Sequence, residues 1–441
     1  MKNEKDIRFF PIFLGATVGV ILEIVATIVD EVITGHLFAD GAFAAVNLVE
    51  PLMFFEIFLA YLVAVGGAAL ILRARGAGDR EKTGEMFSLT LILCGLIGVL
   101  LTAIYVLFTP GLTRLVADDP AVYEDALAYF KVIRFYPLVD MFDTFLFCYV
   151  LYFGGYLQFY TAIIFRIGVN AFLSWELGQR MGLTGIAIAS IISLVVAVLI
   201  KSTFLLTKKH GLKFRWYFNV REALKMARLG IAESMLNVFI VLMELGINTF
   251  TLKNYAEAGV AAVAVVVDIF EFVLYLGEGI TEYEIVAVND SIGKDSRKGM
   301  DLALKVSKRA VVIEGLVLTG LILLLSGVIP EAFDIDSAET AGRATHMLMI
   351  FAPTVVFICL SRVTAVFYQY TQRIRRAIMM FAMFVVLMPV SLGMFFGSFA
   401  LEGIAAGMAA GPAVSIMLMY GYVRLIRKEK LFDYTLLHLE G

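Results

Sequence analysis

Cysteine, histidine and extended polar sequence are all scarce in this chain. Three cysteines occur among 441 residues, Cys94, Cys148 and Cys359, and each falls inside an apolar segment. Scattered in that way they form neither a disulfide framework nor a metal motif, and read as small core residues. The histidines, His36, His210, His346 and His438, show no ligand spacing. His36 sits where a proton shuttle would be useful, but an ordinary loop histidine is the simpler reading. The longest polar stretches, Lys208–Arg221 and Asn289–Lys298, are loop-sized, so no separate soluble domain is expected. Metalloprotease, Ser-His-Asp and phosphate-loop arrangements are missing. The segment "GAGD" at Gly76–Asp79 lacks the strand and helix that a phosphate loop needs. These absences argue against an enzyme and against any resident cofactor or metal.

What the chain has is apolar sequence. It is 60% hydrophobic with a mean hydropathy of +0.87, whereas soluble domains are about 45–50% apolar. Segments long enough to span a bilayer recur to the end, at roughly 11–37, 43–72, 87–109, 124–151, 157–177, 184–206, 224–251, 258–289, 304–329, 341–369, 377–399 and 403–427. The expected fold is an all-α polytopic membrane protein of about twelve transmembrane helices. The first run is too long for a signal-peptide core and lacks a small-residue cleavage site, so a retained helix is expected. Trp175 suits an interfacial anchor, and Pro51, Pro137, Pro353 and Pro389 lie within spans, where they would kink helices.

The net charge of −3 says little; its distribution says more. With the N-terminus cytoplasmic, basic clusters fall on the same side, at Arg73–Lys82, Lys208–Arg221, Lys294–Lys298, Arg373–Arg376 and Arg427–Lys430. The opposite side offers mainly Arg114, Arg180, Lys253 and Arg343, and the loop Tyr152–Gln158 is an exception with no basic residue. This is the positive-inside pattern with both termini cytoplasmic. It is a topology signal and not a nucleic-acid surface.

The chain is also built twice. "GAFAAVNLVEPLMFFEIF" (Gly41–Phe58) resembles "AGVAAVAVVVDIFEFVLY" (Ala258–Tyr275), and aligning Ala44 with Ala261 also aligns Gly76 with Gly293 and Arg80 with Arg297. Two six-helix lobes in parallel pseudo-twofold repeat are therefore expected, 1–215 and 216–441, with substrate between the halves as in many transporters.

Carboxylates inside spans are costly and mark function or a pairing partner. Glu23, Thr27, Asp30 and Thr34 fall in one narrow arc of the first helix, with Glu31 about a quarter-turn away. Glu233, Asn237, Glu244 and Asn248 repeat the idea on the seventh. Asp268, Glu271, Tyr275, Glu278 and Glu282 form the strongest stripe, on the eighth. Such faces must look inward, at water, a cation or other protein. They suit a proton, a sodium ion or an organic cation alike. The bland alternative is a static ion pair, with Arg134, Arg166 or Arg362 as partner; Asp140 and Asp143, which follow Arg134 on the same expected helix, fit it best. Glu278 and Glu282 are also near enough to a helix end to be simply solvated.

Several segments together resemble the MATE (multidrug and toxic compound extrusion) family of the MOP flippase superfamily. They are "IVDEVITGHLFADGAFAAVNLVEPL" (Ile28–Leu52), "GGAALILRARGAGDREKTGEMF" (Gly66–Phe87), "RIGVNAFLSWELGQRMGLTGIAIASIIS" (Arg166–Ser193) and "AVFYQYTQRIRRAI" (Ala365–Ile378). The resemblance implies a V-shaped carrier of two lobes and an antiport in which substrate leaves as protons or sodium enter. It matches Asp30 to the family's cation-coupling aspartate, Asn170 to an asparagine of the same cluster, and Ser190 to a small hydroxyl residue. Thr34 and Glu23 stand nearby on the first helix. There are departures. Ser174 stands where the family often has a second aspartate, and Glu233 and Glu244 both miss the position of its seventh-helix glutamate. The stripe of Glu271, Glu278 and Glu282 is unusual for the family, and implies an added cationic-substrate surface or a divergent subgroup.

The reading is a secondary active exporter of the bacterial inner membrane, monomeric, coupled to protons or to sodium at Asp30. Glu233, Glu244, Asn248, Asp268, Glu271, Tyr275 and Glu278 are the expected substrate surface, for small amphipathic organic cations. The rivals are a lipid-linked oligosaccharide flippase of the same superfamily, a membrane-embedded aspartyl protease and a non-transporting scaffold.

Overall fold

A backbone in hydrocarbon has no water to bond to, so a long apolar run is stable only if its amides and carbonyls pair within the run, as in a helix. In the computed structural model of the protein the apolar runs are helical, and no strand occurs among the described residues. The described residues are 9–38, 40–117, 119–207, 214–333, 335 and 337–439. Within helices, the side chains of residues 23, 27, 28, 30, 31, 40–44, 47, 50, 121 and 436 lie outside that description.

The first half runs α1 (Phe9–Leu37), α2 (Asp40–Gly76), α3 (Arg80–Val116), α4 (Pro120–Ile133), α5 (Tyr136–Tyr152), α6 (Tyr156–Met181) and α7 (Leu183–Ser202). The second runs α8 (Val220–Leu276), α9 (Glu278–Gly293), α10 (Arg297–Leu325), a single turn α11 (Ile329–Ala332), α12 (Ala338–Phe351), α13 (Val355–Tyr370), α14 (Ile374–Phe381), α15 (Met388–Gly397) and α16 (Leu401–Gly421). Among the described residues nine stretches are long and apolar enough to cross a membrane, and the bent pair α4–α5 makes a tenth. One of the nine, Val220–Gly293, is broken at Ala256 and supplies two crossings; α10, too charged over its first turns for that test, supplies another. Twelve crossings result among the described residues.

The repeat is visible element by element. Gly76 closes α2 as Gly293 closes α9. Asp79 caps α3 by accepting from Lys82 N at 2.9 Å. Ser296 caps α10 by accepting from Gly299 N at 3.1 Å. Each cap satisfies an amide that the first turn leaves unpaired. The fourth crossing of each half is interrupted at a proline. α4 and α5 meet at 54° just before Pro137, and Pro353 lies in the 3-10 turn Ala352–Thr354 between α12 and α13. Proline lacks the amide that would continue the ladder. Pro389 opens α15 after a π-helical segment at Ala382–Leu387.

The chain divides into two compact units, Phe10–Ser234 and Met235–Gly441, the latter also taking in Phe9. The charged linker near residue 215 precedes α8, but the first turns of α8 belong with the first unit. There a Cβ on Gly66 of α2 would collide with the Met226 carbonyl, and one on Gly230 with that of Leu62. Only glycine allows backbones this close, which is how helices gain dispersion contacts in lipid. In the second unit Gly403, Gly407 and Gly411 line the face of α16 that meets α15, where any Cβ would strike the α15 backbone or the Pro389 ring.

Candidate functional site

The second unit holds a carboxyl cluster. Glu244 projects from the first arm of α8, and Asp268 and Glu271 from the second. The two arms part at Ala256, whose φ of 56° is left-handed and ends the first helix. That bend lets residues far apart along one element approach one another. Glu271 lies within hydrogen-bonding reach of Glu244, and Asp268 is close to both. Glu271 Oε1 is buried with no hydrogen-bond partner among the described residues. None of the three makes an ion pair with a cation among the described residues. Asn248, one turn beyond Glu244, has a buried Oδ1 without a hydrogen-bond partner. It also lines a surface cleft with Thr249, Leu252, Glu257, Val260 and Ala261.

The acidic stripe on the eighth crossing is not continuous. Gly277 separates α8 from α9, so Glu278 and Glu282 belong to a new helix. Both are buried rather than solvated at a helix end. Glu278 stands 3.9 Å from Arg362 of α13, which also donates to the Leu274 carbonyl. Tyr275 lies between the two sets, beside Glu271 on one side and Glu278 on the other. Glu314 of α10 also faces Arg362. Glu233 is buried in the first unit, not in the one that holds Glu244.

In the first unit, Asn170 of α6 and Ser190 of α7 are neighbours. The Asn170 amide donates to Ser190 Oγ at 3.5 Å, and Ser190 donates to the Ile186 carbonyl at 3.1 Å. Asn170, Ser174 and Thr34 are buried. Asp30 and Glu23 lie on α1, but their side chains are outside the described residues, as are those of Thr27 and Glu31. The ring of His36 stacks on Trp175 at 5.7 Å.

The expected pairing of Arg134 with Asp140 or Asp143 does not form. The bend between α4 and α5 takes Arg134 off the helix that carries the two aspartates. Arg134 donates instead to Thr109 Oγ1 at 2.9 Å. Asp143 is held by Lys201 of α7 at 2.9 Å, with Arg166 of α6 at 3.7 Å. Lys201 and Glu56 were not singled out from the sequence. The signal was available, since each is a lone charge inside an apolar run, but the partner of Lys201 is 58 residues away and periodicity along one helix cannot find it.

Comparison with known proteins bears on all of this. The MatE family model matches residues 16–176. A Bacillus subtilis (strain 168) protein named "Probable multidrug resistance protein YoeA" is 26% identical over 430 residues, covering 93% of this chain and 91% of its own length. A MATE crystallised in complex with MaL6 superimposes with a TM-score of 0.86 at 20% identity, over 95% of this chain and 96% of its own. A MOP superfamily transporter from Pyrococcus furiosus, described as having a binding pocket of reversed polarity that suggests a different function, gives 0.85 at 20% identity, over 94% and 95%. The Pyrococcus furiosus neighbour is named as a transporter of the MOP superfamily. With its twelve helical crossings and internal repeat, the chain has the fold of MATE transporters of the MOP superfamily and is similar to the MatE family over residues 16–176.

Proposed function

We propose that the protein is a multidrug exporter that expels amphipathic organic cations in exchange for protons or sodium ions. The observation that carries this reading is the grouping of Glu244, Asp268 and Glu271, three carboxyl groups with no cation paired to them among the described residues. A surface of that kind attracts positive charge and repels anions. An organic cation entering it gains electrostatic attraction while its apolar body meets the aromatic and aliphatic walls common in such sites. The name of the Bacillus subtilis relative points the same way.

Coupling is assigned to Asp30, with Asn170, Thr34, Ser190 and Glu23 as its neighbours. The adjacency of Asn170 and Ser190 supports a polar patch in the first unit suited to that role. Binding of the coupling ion at Asp30 would favour one of two access states, and a difference of about 1–3 kcal/mol in binding between states is the usual scale of such coupling. The protein is taken to act as a monomer in a bacterial inner membrane with both termini cytoplasmic. A lipid-linked flippase would need cationic groups for its substrate's phosphates. It is not favoured, because Arg134, Arg166 and Arg362 are engaged by Thr109, by Tyr136 and Asp143, and by Leu274 and Glu278.

The test is efflux of a fluorescent cationic dye from proteoliposomes under an imposed proton or sodium gradient. Wild type is expected to move dye under one of the two, and Asp30→Asn to lose gradient-driven efflux while still inserting. Undiminished efflux by Asp30→Asn would remove Asp30 from the mechanism, and no dye movement under either gradient would count against a cationic multidrug substrate.

A further inference from the structure

A second titratable centre lies in the first unit, apart from Asp30. Glu56 of α2 is fully buried, and neither carboxyl oxygen accepts from an amide, hydroxyl or cation among the described residues. What its carboxyl meets, within hydrogen-bonding reach, is the carboxyl of Asp140 on α5. Asp140 also accepts from Thr144 Oγ1 at 3.2 Å. One helical turn on, Asp143 is held by Lys201 and Arg166. Among the described residues, the other titratable groups facing the pair are Tyr136, which accepts from Arg166 at 3.2 Å, and, from α3, Tyr105 and Cys94.

The charges decide what the pair must hold. Glu56, Asp140 and Asp143 are three carboxyl groups, and Lys201 and Arg166 are two fixed cations. With every carboxyl ionised the cluster would carry one uncompensated negative charge within the span, and a fully buried Glu56 carboxylate would touch the like charge of a part-buried Asp140. A single proton between Glu56 and Asp140 removes both penalties. It neutralises the cluster, and turns a repulsive contact into a hydrogen bond in which one carboxyl donates to the other. A metal ion would need more ligands, and no group of three or more His, Cys, Asp or Glu side chains among the described residues has metal-ligand geometry. We infer that Glu56 and Asp140 form a proton-binding site of the first unit, in which one proton taken from solvent is shared between a Glu56 oxygen and an Asp140 oxygen. The site is independent of what is transported and of the ion that Asp30 takes.

Infrared difference spectroscopy of the purified protein in lipid tests this without any transport. The readout is the carbonyl stretch of protonated carboxyl groups, recorded for wild type against Glu56→Gln and Asp140→Asn across pH and after exchange into D2O. Wild type should carry at neutral pH a deuterium-sensitive band that each variant lacks. Glu56→Gln keeps the shape and leaves two carboxylates against two cations, so it should insert normally. Should it nevertheless fail to accumulate, Asp140→Asn is read in the same way, and the wild-type band must in any case disappear at alkaline pH. A flat difference spectrum between wild type and an inserted variant would overturn the site, whatever the dye-efflux result.

Discussion

At the residue scale, the clearest structural charge is Lys201. Its side chain is 2% exposed, and its ammonium lies 2.9 Å from the Asp143 carboxylate and also donates toward the Asp143 carbonyl at 3.4 Å. Removing one member of such a pair leaves the other charge buried and uncompensated, which typically costs about 3–5 kcal/mol. Lys201→Met should therefore lower the unfolding midpoint in detergent sharply, while Lys201→Met with Asp143→Asn should recover much of the loss. Equal stability of the single and double variants would show that the ion pair contributes nothing. The exposed pair Arg180–Glu176, at 2.8 Å, should by contrast matter little, because solvent screens it.

The carboxyl positions differ in how legible they were. Asp268 and Glu271 fall on one face because a helix advances about 100° per residue, and that arithmetic needs no structure. Glu278 and Glu282 fit the same arithmetic but belong to α9, because Gly277 interrupts the ladder. Glu244 joins Asp268 and Glu271 only through the turn at Ala256, where a non-glycine residue adopts a left-handed φ. Nothing in the alanine itself announces that.

At the element scale, the segment after α16 shows how a basic topology signal becomes a structural contact. Arg373 and Arg376, read from sequence as cytoplasmic charges, hold the tail. Arg376 donates to Glu429 at 2.6 Å, and Arg373 is paired with both Glu429 and Asp433 at 3.3 Å. Phe432 packs on Phe367, Lys308 lies over the Phe432 ring, and Tyr434 donates to Asp301 at 2.6 Å. The hydrogen bond from Arg376 keeps the Glu429 carboxyl below the ordinary carboxylate range. A carboxyl depressed in the folded state stabilises above its unfolded pKa, and that stability is lost as pH falls through the lower folded value. Amide exchange in residues 427–437 should accordingly quicken as pH is taken below about 4, near the range of free carboxyls, once the intrinsic pH dependence of exchange is divided out. Glu429→Gln should show the quicker exchange already at neutral pH. Identical protection in that variant would mean the apolar contacts alone seat the tail.

Interrupted crossings belong to the same scale. Pro137, Pro353 and Pro389 mark three breaks that the sequence suggested, since a residue without an amide cannot complete the ladder. The angle at each break, and therefore which side chains leave the helix face, is set by packing. Arg134 shows the consequence: Asp140 and Asp143 follow it in sequence, and the 54° bend leaves it on a separate helix from them.

At the scale of the whole molecule, the prediction concerns sidedness. Basic residues resist translocation, so the side richer in lysine and arginine stays cytoplasmic. In a variant lacking Cys94, Cys148 and Cys359, all buried, a cysteine placed at Trp216 should react with an impermeant reagent only from the cytoplasmic side. One placed at Lys253 should react only from the outside. The reverse pattern would invert the proposed topology.

The sequence by itself determined the class of molecule. Apolar run lengths, the positive-inside bias and the repeat that pairs Gly76 with Gly293 led to twelve helices in two lobes, because bilayer thickness and backbone hydrogen bonding leave little else. It also showed which helices carry carboxyl groups. Only the tertiary structure decided what those groups meet: Glu56 against Asp140, Asp143 between Lys201 and Arg166, Glu278 beside Arg362, and Glu244 with Glu271. Helical phase fixes the direction of a side chain about its own axis. The partner on another helix depends on glycine-permitted approach, on proline bends and on the turn at Ala256, and those are settled by packing the whole chain.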